Sequence, residues 1–222
     1  MIGDIFHICN RGFGRQEVFY DETYYRRFLE SAYRCNNKNG SIRYRGSDLF
    51  GVSPEQDRII AILKWCILPN HYHFLVCELE EGGASEFASR LGNGYTKYVN
   101  TRQERSGYLF QNAAKIIPIQ SDSHFLYLPY YIDLNPLDME FPKWSGRNLS
   151  RRDVDKMFSW LSNYRWSSFS SYYGNSQFDS LIDKDMFYEI FDSSPQKHRK
   201  GMSDLMMSDN PLGKDSFSNM FK

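Results

Sequence analysis

Two histidines separated by one residue, His71 and His73, are the sharpest chemical feature of the sequence. They lie in a stretch, residues 71 to 79, whose alternation of apolar and polar side chains predicts a β-strand. Neighbouring side chains of a strand point to opposite faces, so both imidazoles project to one side and could bind one metal ion. A pair of surface histidines that bind nothing is the alternative interpretation of this short motif.

A second feature is the segment Tyr130-Tyr131-Ile132-Asp133-Leu134-Asn135-Pro136. Tyr131 and Asn135 are four residues apart, so on a helix they lie on one face, about one turn from each other. The sequence contains 16 tyrosines, so a tyrosine four residues before an asparagine carries little information by itself. Taken alone, the segment is equally typical of an amphipathic core helix with a polar tip.

The elements that must position these residues follow from periodicity, caps and turn residues. Their order, β-α-β-β-α-β, is that of the ferredoxin-like unit. We therefore expect an α+β fold, with a ferredoxin-like (RRM-like) antiparallel sheet that has helices on one face, plus a C-terminal helical or irregular extension. The predicted elements are strands at 5–10, 58–68, 71–79 and 109–119, and helices at 21–36, 85–105 and from Ser121 or Ser123 to Leu134, with Asp21 as a plausible N-cap and a loop marked by Gly40 and Gly46.

A chain of 222 residues favours one main domain with a peripheral extension. We place the domain at 1–174 and the extension, helical or loosely held, at 175–222. Residues 163–174 hold Trp166 and four further aromatic residues in a serine-rich setting, which predicts a clasp packed against the core.

Composition narrows the class of protein. Lys plus Arg equals Asp plus Glu at 27 each, so the whole chain has no basic signature of nucleic-acid binding, although residues 86–120 contain five basic and two acidic side chains. The sequence has no long apolar run and no basic, apolar start of a signal peptide, so we expect a cytoplasmic protein that is not in a membrane. The four cysteines form no Cys-x-x-Cys pair and are expected to be reduced thiols at apolar positions.

Several blocks in one order carry a more specific resemblance. The chain resembles transposases of the HUH single-tyrosine superfamily, closest to the REP-associated tyrosine transposases, over roughly residues 5 to 174. The blocks are His7-Ile8-Cys9-Asn10-Arg11-Gly12, Cys66-Ile67-Leu68-Pro69-Asn70-His71-Tyr72-His73-Phe74-Leu75-Val76, Tyr95-x-x-Tyr98-Val99-Asn100, Gly107-Tyr108-Leu109-Phe110-Gln111, Tyr131-Ile132-Asp133-Leu134-Asn135-Pro136 and Trp166-Ser167-Ser168-Phe169.

This resemblance implies a function. His71, His73 and Asn135 would bind Mg²⁺ or Mn²⁺, and Tyr131 would attack single-stranded or hairpin DNA, derived from repeats, to give a 5′-phosphotyrosine and a free 3′-OH. The retained bond energy would allow rejoining without ATP. A homodimer is left open. The residues expected to bind DNA are Arg11, Arg15, Tyr95, Lys97, Tyr98, Arg102, Arg105 and Lys115.

Elementary chemistry agrees with these roles. A phosphodiester is a poor electrophile, and a divalent ion on its oxygens polarises it and offsets developing charge. Two imidazoles and one amide oxygen leave ligand positions open, although imidazole favours Mn²⁺ or a later metal over Mg²⁺. A phenol has an ordinary pKa of about 10, so its deprotonation needs the ion or a base nearby.

The chain departs from the family pattern in two places. Pro129 removes a backbone hydrogen bond two residues before Tyr131 and predicts a kink. Asn112-Ala113-Ala114 replaces a stretch that is usually basic. Two other functions stay open: a ferredoxin-like nucleic-acid-binding module with a degenerate site, in which Tyr95, Tyr98 and Tyr108 stack on bases, and a structural protein that holds an ion at His71 and His73.

Overall fold

A four-stranded antiparallel sheet forms the centre of the computed structural model, which describes residues 1–40, 57–174 and 176–208. Its strand order is β2-β3-β1-β4. This mixed helix and sheet architecture confirms the predicted α+β fold. The strands are β1 (Ile5–Arg11), β2 (Ile60–Leu68), β3 (His71–Glu78) and β4 (Lys115–Pro118).

The helices are α1 (Glu22–Cys35), α2 (Gly83–Arg102), α3 (Asp122–Leu134), α4 (Leu137–Glu140), α5 (Arg151–Asn163), α6 (Phe169–Tyr173), α7 (Lys184–Ile190) and α8 (Pro195–Met206). The predicted cap of α1 is present, since the Asp21 carboxylate accepts a hydrogen bond from the Thr23 backbone N–H at 2.8 Å. Within the described ranges, none of these helices is both long enough and apolar enough to cross a membrane.

Helices α1 and α2 pack on one face of the sheet. Phe28 of α1 lies against Tyr72 of β3, with ring centroids 4.8 Å apart, and Phe87 of α2 lies against Phe74 at 5.6 Å. All four rings are fully buried. Because side chains alternate along β3, the residues between and beside these aromatics, His71 and His73, lie on the opposite face.

Helix α3 covers part of that opposite face. The hydroxyl of Ser121 caps its first turn by accepting from the His124 backbone N–H. The helix then continues through the buried Pro129 to Leu134. A fully buried ion pair fastens it to the sheet, with 2.6 Å between Nζ of Lys64 and Oδ2 of Asp133.

The segment before α6 covers the outer edge of β2, and the helices around it form a second apolar cluster. The segment before α6 pairs with β2, where Ile67 N–H donates to Trp166 O and Ser168 N–H donates to Trp65 O. An edge strand covered in this way cannot pair with another chain. The predicted clasp is therefore present. The second cluster contains Leu134, Leu137, Trp144, Leu149, Val154, Met157, Phe158, Leu161, Phe169, Met202 and Met206.

One predicted strand is wrong in its extent. Residues 109–114 were expected to continue β4, but the strand begins only at Lys115. The earlier residues follow β1 loosely instead, with Gln111 N–H donating to Arg11 O. Cys9 pairs with Lys115 and Gly12 with Phe110, so two residues of β1 lie opposite the four residues 111–114, and this bulge interrupts the ladder. The predicted loop glycine Gly46 lies outside the described residues.

Candidate metal and nucleophile site

His71 and His73 share one face of β3, with their ring centroids 5.1 Å apart. His71 is the first residue of the strand and is half-buried. Its Nδ1 is hydrogen-bonded to Oδ1 of Asn70 at 2.5 Å, which fixes the imidazole plane. Tyr72 points to the other face and is fully buried there, so a slip of the strand by one residue would remove this ring from the aromatic core.

His73 is buried and is held by a histidine of the neighbouring strand. Nε2 of His7 lies 2.9 Å from Nδ1 of His73, and the two rings are stacked. The register pairs Cys9 of β1 and Cys66 of β2 directly with His73, so both thiols share its face. His73 therefore lies at the centre of the sheet with its ring orientation set by His7.

Helix α3 brings Tyr131 and Asn135 to these histidines. The Tyr131 ring meets the His73 ring edge to face, with centroids 5.5 Å apart. The Asn135 side chain makes hydrogen-bonding contacts with both Tyr131 and His71. The four side chains singled out from the sequence thus lie together in space.

Burial keeps the histidines of the site neutral. Desolvation lowers the pKa of His71 to about 4, assisted by the charge of Arg11 and opposed by the contact with Asn135. Desolvation also lowers the pKa of His7 to about 3 and that of His73 well below its ordinary value. A neutral imidazole is the form that binds a metal ion, so no proton has to be displaced from a cationic ring.

Tyr131 is a half-buried phenol whose pKa is raised, chiefly by desolvation, while the contact with Asn135 acts in the opposite direction. Its neighbours on α3 have different surroundings. Tyr130 stacks on His198 of α8 at 4.6 Å, away from the histidine pair. Burial raises the pKa of Tyr127 as well, with the charge of Tyr131 adding to the effect. The geometry distinguishes Tyr131 from Tyr130 by its contact with His73.

A cavity of about 120 Å³ opens beside the two histidines, on the side of β1 and β4. Arg11 and Lys115 contribute cationic side chains to its wall. The remaining wall is uncharged. A space of this size, with imidazoles and two cations around it, suits a small anionic group such as a phosphate. Its other lining residues are Cys9, Asn10, Gln111, Asn112 and Ala113.

A larger groove of about 760 Å³ adjoins this cavity and shares Asn10, Gln111, Asn112 and Ala113 with it. None of the residues that line the groove is charged. Two of them are well-exposed aromatics, Phe13 at 59% and Tyr108 at 83%. The wall formed by α2 consists of small side chains and so leaves room for a flat ring: Ser85, Ala88, Ser89, Gly92, Asn93 and Thr96.

The structure places the residues predicted to bind DNA in two regions, one at the cavity and the turn after β1 and the other on or after α2. Arg11 and Lys115 line the cavity, and Arg15 is exposed in the turn after β1. The residues Lys97, Tyr98 and Arg102 belong to α2, which packs on the face of the sheet opposite to His73, and Arg105 follows that helix.

Tyr95 requires a correction. The structure buries it completely, with its ring against Phe19 and Phe28 and its hydroxyl donating to the Val18 carbonyl oxygen at 2.8 Å. No base can stack on it. Tyr98 is half-buried and its hydroxyl accepts from Arg102, whereas Tyr108 is open to solvent. Apolar spacing on α2 marks Tyr95 as a core residue, because it lies four residues after Leu91 and four before Val99.

Sequence reasoning missed one group that could hold a metal ion. His7, Cys9 and His73 are all buried, and one ligand atom from each lies within 4.8 Å of the other two. The signal was available, because His7 and Cys9 alternate on β1 as His71 and His73 do on β3. The alternation within each strand does not give the register between β1 and β3, which places Cys9 opposite His73. All four cysteines are free and buried, as predicted.

No family model matches the sequence, and the comparison with curated proteins found no match. Among solved structures, the chain is similar to a REP-associated tyrosine transposase bound to a REP hairpin. The sequence identity is 17% and the TM-score is 0.47, over 82% of this chain and 84% of that chain. The chemistry of this protein is therefore inferred from its own residues.

Proposed function

We propose that the protein is a transposase-like strand transferase, which cleaves and rejoins single-stranded DNA by attack of Tyr131 on a phosphodiester. One observation carries the proposal: His71, His73, Tyr131 and Asn135, from a strand and a helix far apart in sequence, meet on one face of the sheet. A purely structural helix does not require a phenol, an amide and two neutral imidazoles at one point.

The donor set fits a divalent ion. His71 and His73 would supply nitrogens and Asn135 an amide oxygen, and His73 would use Nε2, since its Nδ1 bonds to His7. These three neutral ligands leave positions for a phosphate oxygen and water, and they suit Mn²⁺ better than Mg²⁺. When bound, the ion would polarise the phosphodiester and favour the phenolate form of the tyrosine.

The chain's own residues account for the remaining steps. The Tyr131 oxygen forms a bond to phosphorus, and the bond from phosphorus to the 3′ oxygen breaks. The phenolic proton is lost, and the leaving 3′ oxygen gains one, so no oxidant or reductant is needed. Because the pKa of Tyr131 is raised in the absence of substrate, the contact with Asn135, which stabilises the phenolate, assists the attack. The product is a 5′-phosphotyrosine, which the 3′-OH can attack in the reverse reaction.

The surroundings of the site fit single-stranded rather than duplex DNA. Arg11 and Lys115 would neutralise the reacting phosphate in the small cavity. The neighbouring groove is uncharged, and its exposed Tyr108 and Phe13 offer surfaces on which unpaired bases stack. A chain with equal numbers of basic and acidic residues would thus bind by local contacts, with a modest dependence on salt. We propose hairpin-bearing DNA from repeats as the substrate.

The test is adduct formation between the protein and labelled single-stranded DNA that carries a hairpin. With Mn²⁺, the wild-type protein is expected to give a covalent band that resists denaturation. Tyr131→Phe should form none while retaining DNA binding, because it removes only the nucleophilic oxygen. Tyr127→Phe and Tyr130→Phe are matched controls on the same helix and should still form the adduct. No adduct from the wild type with any hairpin, while DNA binding persists, would favour a binding module.

A further inference from the structure

We propose that His7, Cys9 and His73 form a second metal site, which takes thiophilic ions such as Zn²⁺ and lies behind the proposed Mn²⁺ site. The two sites would share His73 through different ring nitrogens. The coordination itself does not depend on the proposed function. Only its consequence for catalysis rests on that function.

The ligand atoms are already close to a metal-binding arrangement. Nε2 of His7 and Nδ1 of His73 face each other at 2.9 Å. One ring nitrogen of each histidine and Sγ of Cys9 all lie within 4.8 Å of one another. All three residues are on adjacent strands, β1 and β3, and on the same face of the sheet. Strands in a sheet centre hold such positions firmly, so only small side-chain shifts are needed to enclose an ion.

The donor set selects the kind of ion. Two imidazoles and one thiolate favour Zn²⁺, Co²⁺ or copper over Mg²⁺ and Mn²⁺, which prefer oxygen ligands. Binding would release the thiol proton of Cys9 to solvent, and a shift of tautomer would free both facing nitrogens. A sulfur ligand distinguishes this site from the set His71, His73 and Asn135, which offers only nitrogen and oxygen.

The site has an entry path. Cys9 and His73 both line the 120 Å³ cavity that opens beside the strands. An ion in the cavity can therefore reach Cys9 and His73 without unfolding of the sheet, with His7 directly behind His73. A water molecule from the cavity can complete a four-coordinate shell.

Sharing His73 makes the two sites compete. A neutral imidazole has one lone pair for a metal and carries a proton on the other nitrogen. An ion on Nδ1 leaves Nε2 protonated, so His73 cannot also bind the Mn²⁺ of the proposed reaction. Zn²⁺ would thus inhibit adduct formation. The Zn²⁺ concentration that halves the rate, relative to the rate of the same protein without Zn²⁺, should be at least about tenfold lower for the wild type than for Cys9→Ser, as expected when one ligand is lost.

The primary test uses Co²⁺ added to the metal-free, full-length protein, with absorption spectra as readout. Wild type should show the near-ultraviolet sulfur-to-cobalt absorption of a thiolate ligand. Cys9→Ser, which keeps nearly the same size, should lose it. Cys66→Ser is the matched control, since Cys66 is also buried, is also paired with His73 and is outside the group. It should retain the absorption.

A second measurement needs no variant. X-ray absorption of the Zn²⁺-loaded wild type should show one sulfur at about 2.3 Å and nitrogens at about 2.0–2.1 Å. Absence of a sulfur ligand in both measurements, or persistence of the cobalt absorption in Cys9→Ser, would overturn the proposal. If the sulfur signal is present but no covalent DNA adduct ever forms, the metal site stands and the proposed function fails.

Discussion

Helix α3 touches the sheet at two places that differ in their chemistry. Towards its C-terminal end, Tyr131 and Asn135 meet the neutral imidazoles of His71 and His73 beside an open cavity. On another side of the same turns, Asp133 is closed in with Lys64, and none of the two side chains is exposed. The contact of Tyr131 and Asn135 with the histidines leaves candidate metal ligands beside the cavity. In the contact of Asp133 with Lys64, the two charges neutralise each other.

The closed contact is a network of charges and aromatic rings. Oδ2 of Asp133 accepts from Nζ of Lys64 at 2.6 Å and lies 3.2 Å from Nε2 of His198. The Lys64 ammonium lies over the Tyr172 ring, 3.9 Å from its centroid. Burial acts to raise the pKa of Asp133, but the contacts with Lys64 and His198 outweigh it and hold that pKa below its ordinary value.

The difference shows that separate residues of one helix can anchor it and carry the proposed reaction. The charges at Asp133 hold α3 against β2 and α8, so the phenol and amide two residues away on either side need not contribute to anchoring. Tyr131 and Asn135 can then keep the neutral contacts that a metal ion and a phosphate would replace. Mutations in the two contacts should therefore separate stability from chemistry.

The largest effect on stability should come from Lys64→Met. It leaves the Asp133 carboxylate buried without its ammonium, and breaking a buried pair in this way costs about 3–5 kcal/mol of the free energy of unfolding. Urea unfolding monitored by circular dichroism measures the loss. The double variant Lys64→Met/Asp133→Leu removes both charges and should be more stable than the single variant. Equal stability of Lys64→Met and wild type would show that the pair does not anchor α3.

The second prediction compares the Mn²⁺ affinity and the stability of variants at His71 and His198. His71→Ala should lower Mn²⁺ affinity by about 100-fold or more, because a ligand is worth more than the 10–100-fold typical of its supporting groups. Cleavage should be slowed and partly recovered at high Mn²⁺. His198→Ala should leave the affinity of the folded protein unchanged and lower its stability instead. Titration calorimetry and urea unfolding on both variants provide the comparison, and equal effects on affinity would remove the distinction.

Acid should destabilise the protein through its buried histidines. The pKa is lowered to about 3 for His7 and to about 4 for His71, against an ordinary value of 6.5. Below pH 6.5 the unfolded chain binds protons at these histidines that the folded chain does not. The contribution of the neutral histidines to the free energy of unfolding is therefore fully present above this pH and is lost as the pH falls towards 4. Each such histidine contributes up to about 1.4 kcal/mol per pH unit.

The variant His7→Gln removes one of these titrating groups. The free energy of unfolding, measured between pH 6 and pH 4.5, should then fall less steeply than in wild type by up to about 1.4 kcal/mol per pH unit. An unchanged slope would mean that His7 is protonated in the folded protein.

Features set by local periodicity could be predicted from the sequence. The alternation around His71 and His73, the four-residue spacing of Tyr131 and Asn135, and the cap at Asp21 depend only on neighbours along the chain. Contacts that depend on strand register could not be predicted, because no feature of the local sequence shows that Cys9 lies opposite His73.

The same limit explains the other differences. In the sequence, Lys64 is a charged residue within an apolar strand. Only the packing of α3 on the sheet shows that Asp133 neutralises this charge. Tyr95 was expected at the DNA surface, whereas the aromatic core around Phe19 encloses it. The strand predicted at 109–119 shortens to β4 because a bulge at residues 111–114 interrupts the pairing with β1, and those residues border the groove.

Peptide mapping of the covalent adduct tests the central claim most directly. Wild-type protein would be incubated with hairpin-bearing single-stranded DNA and Mn²⁺, then digested with nuclease and protease, and the residual nucleotide located by mass spectrometry. We expect a phosphotyrosine linkage on Tyr131, joined to the 5′ side of the cut. A nucleotide on Tyr127 or Tyr130, or on a residue outside α3, would contradict the assignment of Tyr131 as the nucleophile.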